Sequence, residues 1–465
     1  MKKLLLFGLI SLSGWASAQT TDTLRPMGIK AFLDMVLQHH PMVRQAEIAT
    51  ERGAAQLRQA RGAFDPVIEG GVSNKVYDGT SYYDLRDYGL KVPTWFGIEA
   101  FAGYNRTAGS YFNPENRTPA DGQWQAGLSL PLGQGLWVDK RRTELRKAQA
   151  IRDASFVERE QMLNDLLLQA GRTYWQWQQH YREYLAYLQA EAIALEVLDA
   201  VRLAYLFGDR AAVDTLEAAI QLQNWQQLRI DAGLKYQTTG FELATFLWDA
   251  AGQPLELSAG SKPDTSAAGN SSFLRLPNQP LSAALSNPAY RLIDYRQRQL
   301  KYEERWQFER LKPDVRVKFY AINEPSRLDI NPFPGQRVGI DFKFPLFLRD
   351  ARGSLKLVRL QQESLSLDQN QRALGLTNRL AALQLEFDQL DALIEAQNVV
   401  VTNLRLMLEA EKVRFGQGES SIFIINQREA QLVSGKIRLI NLQNRQEINR
   451  LQQLHLTGEL RTVPR

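Results

Sequence analysis

Residues 337–346 read Arg-Val-Gly-Ile-Asp-Phe-Lys-Phe-Pro-Leu, with an apolar side chain at every second position from Val338. A two-residue period places successive side chains on opposite faces of a β-strand. One face of this stretch is therefore apolar, and the other carries Arg337, Asp341 and Lys343. The stretch predicts a strand whose two faces meet different environments.

The same alternation recurs in residues 315–319, 123–132 and 68–76. Strands of about ten residues with one apolar face are typical of a transmembrane β-barrel, although a soluble antiparallel sheet packed on helices shows the same pattern. Two strands in each half would give four core strands per chain, which are too few to close a barrel. We therefore expect a shared barrel, to which three chains supply twelve strands.

Residues 82–105 also alternate, with Pro93 and Thr94 between the two alternating runs. This segment fits an extra hairpin at the mouth of the barrel, or further barrel strands. The sequence leaves both interpretations open.

Long helices are predicted by apolar residues spaced alternately four and three apart, a spacing typical of a coiled-coil seam. Residues 136–206 would form a helix of about 105 Å at roughly 1.5 Å per residue. Its aromatic residues between Tyr174 and Tyr187 favour core packing over a nucleic-acid platform. In the second half, Gln397 is the one polar member of a seam that comprises Leu376, Leu380, Leu383, Phe387, Leu390, Ile394, Val401, Leu404 and Leu408.

Echoes along the chain predict two structural repeats. Pro41 and Pro288, each after a polar residue, are 247 residues apart, and the Phe-Gly pairs ending at Gly208 and Gly416 are 208 apart. We assign the first repeat to residues 19–254 and the second to 281–465, joined by a linker at 255–280. Each repeat has a lead helix, strands (about 67–132 and 314–346), a long helix, a tip (207–211 and 415–419) and a return helix.

The first residues predict export. Lys2 and Lys3 precede an apolar stretch, and Ala16-Ser17-Ala18 offers a cleavage site. This is the pattern of a signal peptide, here residues 1–18. The 465 residues contain no cysteine, which excludes disulfide scaffolds and thiolate chemistry, and the net charge of +5 is spread along the chain. The mean hydropathy of −0.34 excludes a polytopic helical membrane protein.

Sites for catalysis are missing from the sequence. Of the four histidines, only His39 and His40 are adjacent, and neighbouring positions on a helix point about 100° apart, so they cannot easily grip one metal ion. No phosphate-binding glycine loop or nucleophile elbow occurs. We expect no enzyme activity, no cofactor, no metal site and no nucleic-acid partner.

Taken in order, the doubled lead helices, paired strands, Pro-Leu exits and Phe-Gly turns resemble the TolC-like outer-membrane efflux protein family. The resemblance implies an α+β membrane protein in which a homotrimer forms a transmembrane β-barrel and a long coiled-coil α-helical barrel. Its place would be the outer membrane, in contact with its lipid, with the helical part in the periplasm. It would be the passive exit duct of a tripartite efflux pump or type I secretion system, with a periplasmic adaptor (membrane fusion protein) and an inner-membrane pump as partners.

The resemblance also implies site residues. The tips that dock the adaptor would be Phe207, Gly208, Asp209 and Arg210 in the first repeat, and Phe415, Gly416, Gln417, Gly418 and Glu419 in the second. Family members narrow the periplasmic entrance with acidic residues six and nine positions after the tip glycine. The matching positions are Asp214 and Glu217 in the first repeat, and Ile422 and Ile425 in the second, where the acidic pattern is lost.

A second function fits part of the pattern. A periplasmic coiled-coil adaptor or structural spacer would also be exported and would also have long helices. It would carry soluble β-domains in place of strands that face lipid, so membrane fractionation separates the two functions.

Overall fold

The computed structural model describes residues 26–111, 113–257, 260–265, 281–325 and 335–460. The expected signal peptide at residues 1–18 and most of the expected linker at 255–280 lie outside these residues. Within them the chain forms an α+β fold with very long helices and one antiparallel sheet, which confirms this part of the prediction.

Seven α-helices occur in the described residues, and two of them are about 100 Å long at roughly 1.5 Å per residue. These two are α3 and α6, of 67 and 68 residues. The helices are α1 (Ile29–His39), α2 (Pro41–Arg61), α3 (Lys140–Leu206), α4 (Ala212–Ala244), α5 (Pro288–Glu309), α6 (Arg349–Gly416) and α7 (Ile422–Thr457).

The echoed proline motif starts a helix in both halves. His40 accepts a hydrogen bond from the Met42 amide on Nδ1 at 3.1 Å, and Pro41 occupies the first position of α2. Asn287 accepts from the Ala289 amide at 2.9 Å, ahead of Pro288 in α5. A polar cap followed by proline is favoured at a helix start, because the cap satisfies an exposed amide and proline has none to satisfy.

The described sheet has six strands: the four core strands predicted from the sequence, and two more from the segment for which the sequence left both interpretations open. All neighbours are antiparallel, and the order in the sheet is the order in the chain. Residues 82–105 belong to two of these strands, joined by a turn in which the Thr94 amide donates to the Ile98 carbonyl at 3.0 Å. The strands are β1 (Val67–Tyr77), β2 (Thr80–Pro93), β3 (Glu99–Ala108), β4 (Gln123–Pro131), β5 (Asp314–Asn323) and β6 (Gly335–Lys343).

The strand register gives the whole sheet one apolar face. Residues that pair across an antiparallel ladder point to the same side, so the pairing can be followed from strand to strand. One such row is Val92, Ala100, Leu128, Phe319 and Val338. We call this side the apolar face; its members also include Ile68, Val72, Leu90, Ala102, Ala126, Leu130, Val317, Ile340 and Phe342.

The opposite side, the polar face, carries most of the charged strand residues. Lys91 and Glu69 form an ion pair at 2.7 Å, and Lys318 pairs with Asp341. Ser129, Gln125 and Arg337 lie on the same side. The segment from 80 to 108 continues both faces, which is why its alternation resembles that of the neighbouring strands.

The main core lies where α3 crosses α1, α4 and α7. Tyr174, Trp175 and Trp177 are each at most 1% exposed, and Phe32 stacks on Tyr174 at 5.7 Å between ring centroids. Burial of these rings confirms the interpretation of the aromatic run as core. The seam of α6 packs on α7: Leu380, Leu383, Leu390 and Leu408 are buried, and Gln397 donates to the Gly435 carbonyl at 3.0 Å.

In the described part of the chain, no helix combines the length and the apolar character needed to cross a bilayer.

Candidate functional site

The two helix tips end in the same hydrogen-bonded turn. At the end of α3, the Gly208 amide donates to the Tyr205 carbonyl at 3.0 Å and the Asp209 amide donates to Ala204 at 2.9 Å. At the end of α6, Gly418 donates to Phe415 at 3.1 Å and Glu419 donates to Arg414 at 2.9 Å. This pair of bonds is the Schellman motif, which requires a left-handed residue after the helix cap. Gly208 and Gly418 fill that position, with φ of 83° and 78°.

The equivalent of Gly208 is therefore Gly418, not Gly416. Gly416 is the last residue of α6 and is not among the positive-φ glycines. Counted from the turn, the two tips are 210 residues apart, and the starts of α4 and α7, Ala212 and Ile422, have the same separation. The separation of 208 residues came from matching the two Phe-Gly dipeptides, which occupy different positions in their turns.

The predicted entrance residues divide into two groups. Asp214 and Glu217 lie in the first turns of α4 and are half-buried. Ile422 and Ile425 are 1% and 4% exposed in apolar clusters between the helices, so in the single chain their side chains face neighbouring helices and not solvent. Their burial follows from the register, because they are two residues out of step with the acidic pair.

Counted from Gly418, the positions equivalent to Asp214 and Glu217 are Ile424 and Gln427. Ile424 is half-buried and Gln427 is exposed. The second tip therefore has no acidic residue at either position.

The two tips touch each other. The guanidinium of Arg210 lies 4.2 Å from the centroid of the Phe415 ring, and its Nη2 donates to the Phe415 carbonyl at 3.5 Å. A cation over an aromatic face contributes about 0.5–1 kcal/mol at an exposed site. Phe207, by contrast, is 74% exposed at the opposite tip. Of the two tip phenylalanines, Phe415 therefore contacts the other tip and Phe207 lies on the surface.

Polar contacts shape the second tip. The Ser420 hydroxyl donates to the carboxylate of Glu411, and both residues are buried. Arg414 lies 3.7 Å from Glu411 and 4.0 Å from the exposed Glu419. Gln417 and Glu419 are left facing solvent, which makes them available to a partner protein.

One buried carboxyl near this tip has no counterpart in the sequence predictions. Glu429 on α7 is 4% exposed, and its Oε1 has no hydrogen-bond partner among the described residues. Burial raises the pKa of Glu429 to about 7, against an opposing effect of Lys412 on α6. In the sequence, Glu429 sits among Gln427, Arg428 and Gln431 and resembles a surface residue; only its position four residues after Ile425 could have indicated burial.

The apolar face of the sheet is open to its surroundings in the single chain. Phe342, Ile340 and Val338 on β6 are 69%, 70% and 61% exposed, and Ile68 and Val72 on β1 are 84% and 62% exposed. Monomeric soluble proteins rarely expose apolar patches larger than a few hundred Å². A six-stranded sheet with such a face needs lipid or protein against it.

Both outer strands of the sheet also lack a neighbour in the described chain. β1 and β6 are its terminal members, with eleven and nine residues. Long, exposed edge strands present unpaired amide and carbonyl groups, which readily pair with another chain.

Among the described residues, no cluster of histidine, aspartate and glutamate could hold a metal ion.

Comparison by sequence matches residues 32–247 to the family model described as outer membrane efflux protein. Comparison with curated proteins gives no sequence match.

Comparison by fold matches channel structures over nearly the whole chain. CusC, a transmembrane channel, has a TM-score of 0.68 at 12% identity, with 92% of each chain covered. The Campylobacter jejuni outer membrane channel CmeC has a TM-score of 0.64 at 14% identity, with 93% of this chain and 85% of that one covered. The open state of the Neisseria gonorrhoeae channel MtrE has a TM-score of 0.66 at 14% identity, covering 93% and 89%. At these identities the similarity establishes the fold.

Proposed function

We propose that this chain is a member of the outer membrane efflux protein family, whose model matches residues 32–247, and that three copies of it form a passive exit channel. The channel crosses the outer membrane through the sheets and extends into the periplasm through the helices. It serves a tripartite efflux pump or a type I secretion system, whose energy comes from an inner-membrane partner.

The observation that carries this proposal is the combination of one continuous apolar face with two unpaired edges. Lipid against the apolar face removes from water the exposed side chains of β1 and β6. A neighbouring copy on each side, β6 of one against β1 of the next, pairs the free edges. In lipid every backbone polar group must be paired, so only a closed ring of such sheets is stable there.

Three six-stranded sheets make a ring of eighteen strands. The twelve strands expected from the sequence are replaced by this larger number, since the hairpin of β2 and β3 adds two strands to each copy. The polar face then lines the lumen with the charged pairs of Glu69 with Lys91 and of Lys318 with Asp341.

The tips are the proposed docking surface for a periplasmic adaptor. They lie at the end of α3 and α6 that is far from the sheet, about 100 Å away along helices of this length. Leu206 and Phe207 are 77% and 74% exposed there, beside the charged Asp209. Exposed apolar side chains rimmed by charge are typical of protein-binding surfaces.

A pair of arginine substitutions tests the membrane assignment. Ile340→Arg places a charge on the apolar face, where it costs about 2–4 kcal/mol near the middle of a bilayer. Gly339→Arg places the same charge on the polar face next door, at a position where no other atom of the described chain lies within 4 Å of an added Cβ. We expect Ile340→Arg to reduce the amount of heat-modifiable oligomer in the outer-membrane fraction, and Gly339→Arg to preserve it.

The result that contradicts the channel is equally clear. Release of the wild-type protein by osmotic shock as a soluble monomer would instead support the adaptor or spacer function. Equal membrane yields of the two arginine variants would show that the apolar face does not meet lipid.

A further inference from the structure

Two arginines lie opposite one another at the end of the apolar face that is far from the helices. Arg86 of β2 pairs with Arg106 of β3 across the ladder, so both side chains leave the sheet on the apolar side. Val72 of β1 lies on the other flank of Arg86. Like charges directly opposite one another destabilise a sheet, and the sheet therefore gains if an anion lies between them.

Asp84 balances only one of the two charges. The Nε of Arg86 donates to Oδ1 of Asp84 at 3.3 Å, and its Nη2 donates to Oδ2 at 3.1 Å. The Nε of Arg106 is buried and has no hydrogen-bond partner in the part of the chain that the structure describes. The group Asp84, Arg86 and Arg106 thus keeps one positive charge in excess and an N–H donor that the protein does not use.

Aromatic side chains lie immediately below the arginines on the same face. Tyr88 follows Arg86 by two residues, and its cross-strand partner Tyr104 precedes Arg106 by two; Trp124 of β4 pairs with Tyr104 in turn. The rings of Tyr104 and Trp124 are 5.2 Å apart, and the Tyr104 hydroxyl donates to the Asp121 carbonyl at 2.8 Å. A row of tyrosine and tryptophan is typical of the boundary between the hydrocarbon and the headgroups of a bilayer.

From Trp124 to Leu130 the apolar face of β4 extends over six residue steps, about 20 Å along the strand at roughly 3.3 Å per residue. An outward-facing apolar band of a barrel is about 25 Å tall. The aromatic row ends this band on the side far from the helices. The arginines therefore lie at the depth where the phosphates of the outer leaflet begin.

We propose that Arg86 and Arg106 bind a phosphate group of a phosphorylated glycolipid in the outer leaflet, of the lipid A type. The inference rests on the proposed function, because it requires the sheet to face lipid with its helices in the periplasm. Guanidinium groups hold phosphate by charge-assisted hydrogen bonds that match its geometry. The phosphate relieves the repulsion of the two arginines, while the acyl chains cover the exposed rings of Tyr88 and Trp124, which are 49% and 56% exposed.

The apolar surroundings select a lipid phosphate over a free one. Inorganic phosphate gains the contacts to the two guanidinium groups but leaves the aromatic row and the apolar band uncovered. A lipid with a phosphorylated headgroup contacts the two guanidinium groups and also covers the aromatic row and the apolar band. Its affinity therefore exceeds that of the free ion.

The test compares detergent-purified wild-type protein with Arg106→Gln and with the double variant Arg86→Gln/Arg106→Gln. Native mass spectrometry measures binding of lipid A, of dephosphorylated lipid A and of inorganic phosphate. The matched control is Arg337→Gln, which removes a cation from β6 on the polar face, where Arg337 lies 4.8 Å from the Tyr320 ring. Arg106→Lys keeps the charge but loses the paired donors.

We expect lipid A to bind the wild type and Arg337→Gln equally, and the double variant roughly tenfold or more weakly, as for the loss of charge-assisted hydrogen bonds. Arg106→Lys should fall between them. Equal binding to the double variant, equal binding of dephosphorylated lipid A, or equally tight binding of inorganic phosphate would each overturn the lipid site. If the wild type is absent from the outer-membrane fraction, the channel fails and the lipid site with it; if it is present without lipid A selectivity, only the lipid site fails.

Discussion

Replacing Glu429 by glutamine should remove a pH-dependent destabilisation of α7 near the second tip. Glu429 is buried on α7, and its pKa is raised from 4.5 to about 7 by that burial. The folded state therefore binds the proton more tightly than the open state does. The sign follows directly: the carboxyl causes little destabilisation below pH 4.5, and the destabilisation grows as the pH rises and is complete above about 7. Lys412, which opposes the shift, is the charged group that faces Glu429 from α6.

The size of the effect follows from linkage between the two pKa values. One pKa unit corresponds to about 1.4 kcal/mol, so ionised Glu429 weakens the local structure by about 3 kcal/mol at pH 8 and by about 1 kcal/mol at pH 5. The local opening equilibrium is therefore larger by about three hundredfold at pH 8 and by about fourfold at pH 5. Glu429→Gln keeps the shape of the side chain and never ionises, so it removes both penalties.

Amide hydrogen exchange across α7 measures the opening directly. The ratio of wild-type to variant exchange rates at one pH cancels the intrinsic pH dependence of exchange. We expect the ratio to increase from about fourfold at pH 5 to about three hundredfold at pH 8. Glu419→Gln, at an exposed carboxylate, should give no change at either pH. A ratio for Glu429→Gln that stays the same at pH 5 and pH 8 would refute the account of a buried, unpaired carboxyl.

Three further predictions concern the tips. Gly418→Ala forces a side chain into a φ of 78° and should destabilise the helical part by about 1 kcal/mol, which lowers its thermal midpoint. Gly416→Ala, inside α6, should leave the midpoint equal or higher. The opposite order of the two midpoints would contradict the assigned turn positions. Arg210→Ala removes the contact with Phe415 and should widen the distribution of spin-label distances between the two tips, while Arg202→Ala, whose partner is the exposed Asp199, should not. Reversal of charge by Gln417→Lys with Glu419→Lys should weaken adaptor binding and efflux without loss of membrane-inserted oligomer, and unchanged efflux would argue against docking at the second tip.

Local periodicity predicted the elements because it reports on each strand or helix alone. The alternation at 337–346 predicted β6, and the seam with Gln397 predicted the packing of α6 on α7. The strand count stayed open because Asp84 and Arg86 interrupt the apolar period of β2, so that residues 82–105 fitted an extra hairpin at the mouth of the barrel equally well. Only the ladder from β1 to β4 shows that this hairpin belongs to the sheet.

Features that depend on contacts between distant segments were not accessible from one sequence. The Phe-Gly dipeptides are alike in letters, but Gly416 ends a helix and Gly418 takes the left-handed position after it. Glu429 is flanked by polar residues in the sequence and becomes buried only when α7 packs against its neighbouring helices. The pairing of Arg86 with Arg106 requires the register of two strands, which alternation alone does not specify.

In the channel that we propose, the extra hairpin widens the part that crosses the bilayer. The circumference of a barrel grows in proportion to its strand number, so a wall of eighteen strands is about half again as wide as one of twelve. The number of long helices that each copy contributes is unaffected by β2 and β3. In that proposed channel the narrowest point therefore lies toward the far mouth of the helices, and substitutions that alter the size limit of exported molecules should map to α4 and α7 near their first turns.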